Sequence, residues 1–242
     1  MPKLTDHVYG VLTFGASVNG YIIENPQDDG RLTLVDFGAG DGFLKAIKAE
    51  LAKMQKKKTL ADVAYLIPTH AHPDHYGALA AVQRECDATT IAHSVDAPVI
   101  RGEHPVRYAD PETLDFVNKL IGRIMLPSAP PAARVDRTVE GGEVLDEVYP
   151  GAQVVHLPGH SPGQIGLYLP DERTLIGGDV MSRLPWGLYV PIKAASPDWA
   201  GVKRSIKRVA EMDVANMLVG HGPPTIGNAG AQIAKFAQRL TI

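Results

Sequence analysis

The stretch THAHPDHYG, Thr69 to Gly77, places three histidines and an aspartate within six residues. Four of those positions, His70, His72, Asp74 and His75, can each offer a lone pair to a cation. Histidine is the commonest metal ligand, and its neutral ring is available near neutral pH. The pattern H-x-H-x-D-H therefore reads as a metal loop. By itself it fixes neither the number of metals nor the chemistry.

Working outward, the loop is delivered by an apolar strand, ADVAYLIPTH, and left by a predicted helix, YGALAAVQREC. Upstream, GYIIEN and RLTLVDFGAG read as neighbouring strands separated by the turn-rich PQDDG, the second ending at Asp36 before Gly38 and Gly40. The following DGFLKAIKAELAKMQ has apolar residues at helical spacing. Residues 94–140 differ: an amphipathic helix at Pro111 to Met125 with a proline-rich exit is read as a helical connecting segment that covers the site. A second strand series follows, with AQVVHLPGH, the hairpin GQIGLYLPDERTLIGGD turning at PDER, and ANMLVGHG. Helices are predicted at Asp198 to Met212 and Ala229 to Leu240. Strands followed by helices in both halves predict a layered α+β chain, with sheets inside and helices outside, read as one domain over residues 1–242.

Composition narrows the class. The 242 residues are 45% apolar and 21% charged, as in an ordinary globular protein. A net charge of -3 gives no basic footprint for nucleic acid. The run Lys56-Lys57-Lys58 is read as a solvated helix end. The single cysteine, Cys86, allows no intrachain disulfide and no thiolate cluster, and is read as a small core residue. The opening MPKLTDHVYG has no charged region followed by an apolar one, and no run reaches transmembrane length. The expectation is a cytoplasmic enzyme acting on a small molecule, without nucleic-acid or membrane partners, and capable of forming a homodimer.

Three more polar points sit at strand ends beside glycine: His160 in LPGHSPG, Asp179 in IGGDV and His221 in LVGHGPP. Glycine lets the backbone turn sharply there and approach a buried object. Singly, each is an ordinary loop residue. Together, five of the nine histidines and two aspartates fall in one kind of context. His7, His93, His104 and His156 lack it and are read as surface or hydrogen-bonded core residues.

Asp36, THAHPDH, PGHSPG, GGD and GHG, in that order over residues 36–221, resemble the metallo-β-lactamase-fold hydrolase superfamily. The resemblance implies a four-layer αβ/βα sandwich, two mixed sheets packed face to face, with a metal cleft at one edge. It implies that His70, His72 and His160 hold a first divalent metal and that Asp74, His75 and His221 hold a second. Asp179 would bridge them, and Asp36 would steady the histidine loop by hydrogen bonds. Neutral imidazoles suit zinc, with iron or manganese as alternatives, and the carboxylates offset the cationic charge. A bridging water then becomes a hydroxide nucleophile, with Asp74 and Asp179 as the catalytic carboxylates.

Fold does not fix substrate. Only 21 residues follow His221, too few for the glutathione-binding domain of glyoxalase-type thioesterases. No basic arm suggests a nuclease, and no cysteine stands in the second-metal set. The expected reaction is hydrolysis of a small ester, lactone or thioester. The alternatives are a mononuclear iron persulfide-dioxygenase-type enzyme, a hydrolase of phosphoesters or β-lactams, or a non-enzymatic metal-bearing domain. In RLPWGLYVP, Trp186 and Tyr189 are candidates for an apolar pocket wall, with IGRIMLPSAPP opposite.

Overall fold

The computed structural model describes residues 3–12, 18–125 and 130–241. Six strands form the first sheet, side by side in chain order: β1 (Val8–Leu12), β2 (Asn19–Glu24), β3 (Leu32–Val35), β4 (Val63–Ile67), β5 (Thr89–His93) and β6 (Arg137–Val139). The pairs β1–β2 and β2–β3 are antiparallel and the other three are parallel. In the second half come β7 (Gln153–His156), β8 (Ile165–Leu169), β9 (Thr174–Gly178), a hairpin of β10 (Ser182–Leu184) and β11 (Gly187–Tyr189), and β12 (Asn216–Val219). Four of these make a second mixed sheet in the order β12-β9-β8-β7.

Side-chain alternation assigns each face. Tyr21, Ile23, Val35 and Ile67 of the first sheet pack against Val154, Leu167, Ile176 and Leu218 of the second, so the sheets meet face to face. Ile22, Leu34 and Leu66 point the other way. They meet α1 (Gly40–Leu51) and, after the short α2 (Pro73–Tyr76), α3 (Leu79–Gln83), through Phe43, Leu44, Ile47, Leu51, Leu79 and Val82. Farther along the chain come α4 (Ala97–Ile100), α5 (Phe116–Met125), α6 (Trp199–Ala210) and α7 (Ala229–Ala237). On the outer face of the second sheet, Val155, Leu175, Met217 and Val219 meet Val202, Ile206, Val209 and Ile233 of α6 and α7. Helices, sheet, sheet and helices make the four layers expected from the sequence. No described helix is long and apolar enough to cross a membrane.

Four local expectations are corrected. The helix expected at 76–86 is two short pieces, because the Ala78 amide leaves the helical ladder and donates to Gly38 O (3.2 Å). Gly77 packs so closely there that a Cβ would lie 2.4 Å from Pro73 O. The helix expected from Pro111 begins as a 3-10 turn, and the helix proper follows Asp115, whose carboxylate accepts from the Asn118 amide (2.9 Å). Residues 94–140 are more than a connection, since β6 extends the first sheet beside β5. Lys58 is buried, not solvated: its ammonium donates to Gly30 O (2.9 Å) and lies 3.6 Å from Asp62. The stretch proposed as an opposite wall, 121–131, lies partly outside the described residues, at 126–129.

Candidate metal centre

Each candidate side chain leaves the end of a strand at one edge of the sandwich. After β4 the chain bends through Thr69–Ala71 and is extended again at His72, which brings the rings of His70 and His72 together. Pro73 then opens α2, whose single turn presents Asp74 and His75. His160 follows β7, Asp179 follows β9, and His221 follows β12. Two glycines permit the close approach. A Cβ on Gly220 would sit 2.1 Å from Asp179 Oδ1, and one on Gly178 would sit 2.5 Å from Thr69 Oγ1, at φ +51°.

In the first group, His70 Nε2 lies 3.1 Å from His72 Nδ1, which lies 2.9 Å from His160 Nε2. The outer nitrogens fix where the ring protons are. Thr69 Oγ1 gives its proton to Asp36 and so accepts from His70 Nδ1 (3.0 Å). Ser196 Oγ gives its proton to Ile192 O and accepts from His160 Nδ1 (3.0 Å). His72 Nε2 faces Arg107 O at 3.4 Å. With protons on the outer atoms, three lone pairs converge at a spacing that suits a shared cation and not mutual hydrogen bonds.

The second group mixes charge. His221 Nε2 lies 3.3 Å from Asp74 Oδ2 and 3.2 Å from Asp179 Oδ2. The same Asp179 oxygen is 3.3 Å from His160 Nε2, and its Oδ1 is 3.4 Å from His75 Nε2. One carboxylate thus faces both groups. His75 Nε2 and Asp179 Oδ1 are buried without a hydrogen-bond partner. Such polar atoms are costly in a protein interior unless a partner compensates them. Three sets of these side chains could each hold an ion: His70, His72 and His160; His70, His75 and Asp179; Asp74, His75 and His221. The donor chemistry, imidazole and carboxylate, fits divalent cations.

Protonation follows the same division. Burial, with the neighbouring histidines, holds His70 well below the ordinary histidine range and brings His160 to about 3. Burial also lowers His72. The Asp179 carboxylate raises His221 to about 10. Burial opposes the charged form of His75, but Asp36, Asp179 and Asp74 outweigh it and hold the ring well above its usual value. Burial likewise works against ionised Asp179, yet His221 and His75 keep its carboxyl well below the carboxylate range. The cleft opens at Asp74 and His221, whose side chains are 37% and 33% exposed, while His75 and Asp179 are at 0% and 5%.

Asp36, at φ +59°, stands where the sequence placed it, beneath the loop. Its Oδ1 accepts from the Thr69 amide (2.7 Å), and its Oδ2 accepts from Thr69 Oγ1 (2.9 Å) and faces His75 Nδ1 (2.8 Å). Five further residues lie outside the sequence reading. Buried Asp96 accepts from the amides of Ala71 and Gly163 (both 2.9 Å) and from the Ser161 hydroxyl, so it ties the histidine loop to the His160 loop. Asn19 Nδ2 donates to Gly222 O (2.6 Å) and steadies the His221 loop. Thr69 and Ser196 set ring protons, and Tyr108 lies beside His72. Thr69 had a signal, since it adjoins the motif; the others are distant in sequence and stand in no recognisable pattern. Trp186 and Tyr189 do not join the cluster. They belong to the β10–β11 hairpin, whose Arg183 amide donates to His221 O (2.9 Å), and their rings meet edge-on at 6.4 Å. Trp186 is 74% exposed.

A cation that binds these side chains must displace protons. His75 and His221, both raised, hold protons at pH 7.5, and that charge is lost only as pH rises through their folded values. Adding a divalent cation at pH 7.5 is therefore expected to release ~2 protons per chain, read by calorimetry in buffers of different ionisation enthalpy. Proton uptake, or none exchanged, would contradict this electrostatic account.

The model of the metallo-beta-lactamase superfamily matches residues 13–221. The chain is 27% identical over 238 residues to the probable metallo-hydrolase YflN of Bacillus subtilis, covering 92% of this chain and 88% of that one. It is 26% identical over 223 residues to the human acyl-coenzyme A thioesterase MBLAC2, covering 86% and 74%. Among solved structures, TTHA1623 in a di-iron-bound form superposes with a TM-score of 0.63 at 27% identity, covering 93% and 98%. With the four layers in place and most of its length matched, the chain belongs to the metallo-beta-lactamase superfamily.

Proposed function

We propose that this protein is a binuclear metal-dependent hydrolase that cleaves a small ester, lactone or thioester. The observation that carries the reading is Asp179, whose one carboxylate faces both groups of imidazoles. In this reading His70, His72 and His160 hold one divalent cation, Asp74, His75 and His221 hold the other, and Asp179 is shared. Zinc suits the imidazole-rich set, and the di-iron form of a relative supports iron as the alternative. The thioesterase name of the human relative favours acyl substrates. Two bound dications would supply Lewis acidity and bring the pKa of water toward neutrality.

The chain's own residues set the rest. Asp36, Thr69 and Ser196 hold the ring protons of His75, His70 and His160 on the nitrogens that face away from the cleft, so each inner nitrogen stays a donor to metal. Asp74 Oδ2 stands at the open end, where it can take a proton from water and return it to the leaving group. No side-chain nucleophile is required. The Ser161 hydroxyl, although next to His160, is buried and committed to Asp96, and Cys86 packs on the first helical layer, its thiol raised by burial. Trp186 and Tyr189, on a hairpin anchored to the His221 loop, would wall the entrance with apolar surface.

The test is a panel of aryl esters, lactones, thioesters, phosphoesters and β-lactams, with and without chelation. Turnover of the first three is expected to vanish on metal removal and return with zinc or iron. Acyl-ester turnover that survives complete chelation would overturn the reading, as would preference for phosphoesters or β-lactams. Within the same panel, Trp186→Ala should lower kcat/KM for apolar substrates about tenfold, equivalent to ~1.4 kcal/mol. As Trp186 is largely exposed, stability should stay within ~0.5 kcal/mol. Unchanged kinetics on apolar substrates would place the pocket elsewhere.

A further inference from the structure

α5 turns its apolar side outward. Its start is anchored by Leu114, which is buried with Ala109 and Ala194, and the helix then packs on the 3-10 turn Lys193–Ala195. The half-buried positions along it are Asn118, Ile121 and Gly122, so that side faces the body of the protein. Phe116, Val117, Leu120 and Ile124 are exposed at 80%, 61%, 49% and 73%. Phe116, Leu120 and Ile124 form one row at i, i+4 and i+8, with Val117 beside it. A helix on a globular protein normally buries its apolar stripe and shows its polar side to water, and here the order is largely reversed. A single exposed apolar residue is ordinary, whereas four on one helix face mark a contact surface.

The charges along the same segment choose the occupant. Asp110, Glu112 and Asp115 lie at the N-terminal end, and Lys119 and Arg123 lie in the turns that follow, all of them exposed. None of the five forms an ion pair with a described residue. The Asp110 and Asp115 carboxylates accept instead from the amides of Glu112 and Asn118 (both 2.9 Å). An anionic lipid surface would meet three carboxylates beside the apolar row. A small apolar ligand would meet a convex ridge, whereas ligand sites are concave. A second copy of the helix, run antiparallel, satisfies both features. Row then meets row, and the basic half of each helix lies toward the acidic end of the other. Parallel pairing would set acid beside acid.

We infer that the outer face of α5 is the two-fold contact of a homodimer, in which two copies of the helix cross antiparallel at Leu120. In such a contact the same patch serves both copies: Leu120 meets its counterpart, and Phe116 of one copy meets Ile124 of the other. Rows spaced at i and i+4 interdigitate as ridges into grooves. The contact lies beside the candidate metal centre. The turn that supports α5 leads into Ser196, whose hydroxyl accepts from His160 Nδ1 (3.0 Å), and the Ala109 amide donates to Ala194 O (3.1 Å) within that turn. The dimer does not depend on which bond the protein cleaves.

The experiment measures mass by sedimentation equilibrium on the full-length wild type and Leu120→Glu, and disulfide capture on Leu120→Cys and Phe116→Cys, each combined with Cys86→Ser. Wild type at about 50 µM is expected to be a dimer. Leu120→Glu sets two carboxylates against each other at the two-fold axis and should weaken the dimer about a hundredfold or more. Leu120 is half exposed in one copy, so the variant should keep its fold by circular dichroism. Under mild oxidation Leu120→Cys should cross-link two chains, because the two positions meet on the axis. Phe116→Cys should cross-link poorly with itself, because antiparallel helices hold those positions two turns apart. Wild type that stays monomeric at the same concentration overturns the inference. If that monomer pellets with vesicles of phosphatidylglycerol and phosphatidylcholine and Leu120→Glu does not, the face belongs to lipid. A dimer that survives Leu120→Glu in folded protein overturns it too, as does Phe116→Cys cross-linking as readily as Leu120→Cys. Should Leu120→Glu fail to fold, the two cysteine variants decide alone.

Discussion

The carboxylate of Asp36 is the point on which the site depends. It is buried at the end of β3 in a left-handed backbone conformation that costs an ordinary residue on the order of 1–3 kcal/mol. That cost is offset because the turn aims one carboxylate at three partners: the Thr69 amide, the Thr69 hydroxyl and His75 Nδ1. The backbone reinforces it, with the Asp36 amide donating to Ile67 O and the Phe37 amide donating to His75 O. A single buried negative charge thereby fixes the end of β4, the rotamer of Thr69 and the proton of His75. Through Thr69 it also fixes the proton of His70. Removing one partner of such a buried charge is far more damaging than losing a surface ion pair.

A site that draws ligands from both sheets also needs the sheets held in register at that edge. Asp96 does this from within the segment that joins the halves, since the groups it binds come from the histidine loop and from the His160 loop. On the other flank Asn19 and Tyr21 of β2 reach across to Val219 O, and Asn19 also reaches Gly222 O. Gly220 lets this edge close until Asp179 and His75 lie almost against the backbone. These contacts brace the cluster on both flanks. Its like-charged and lone-pair contacts are tolerated because strand ends and bracing carboxylates hold them there.

The layers were legible because each strand and helix carries its own period, and the candidate ligands stood out because they lie beside glycines at strand ends. His70, His72, Asp74, His75, His160, Asp179, His221 and Asp36 come together as the motif order implied. The bracing residues were not legible. Asp96 and Ser196 act through contacts far away in sequence, and a lone aspartate or serine in a loop carries no periodic signal. The helix after the loop was overextended because Gly77 and Ala78 answer to Gly38 and not to their own helix, a tertiary preference that overrides local propensity. The strands β1, β5 and β6 and the hairpin β10–β11 were missed: β6, β10 and β11 have only three residues each, and no flanking turn pattern marked β1 and β5. The fold also puts Trp186 at an exposed hairpin tip, whereas its nearness in sequence to Asp179 suggested a place beside the ligands.

The central claim is that two groups of ligands share Asp179. Elemental analysis of protein loaded with zinc or iron and freed of loose metal tests it most directly. The account predicts a plateau at about two metal ions per chain for the wild type, and a clear fall below two for Asp179→Ala. A wild type that saturates at one ion, or an Asp179→Ala variant that still holds two, would contradict it.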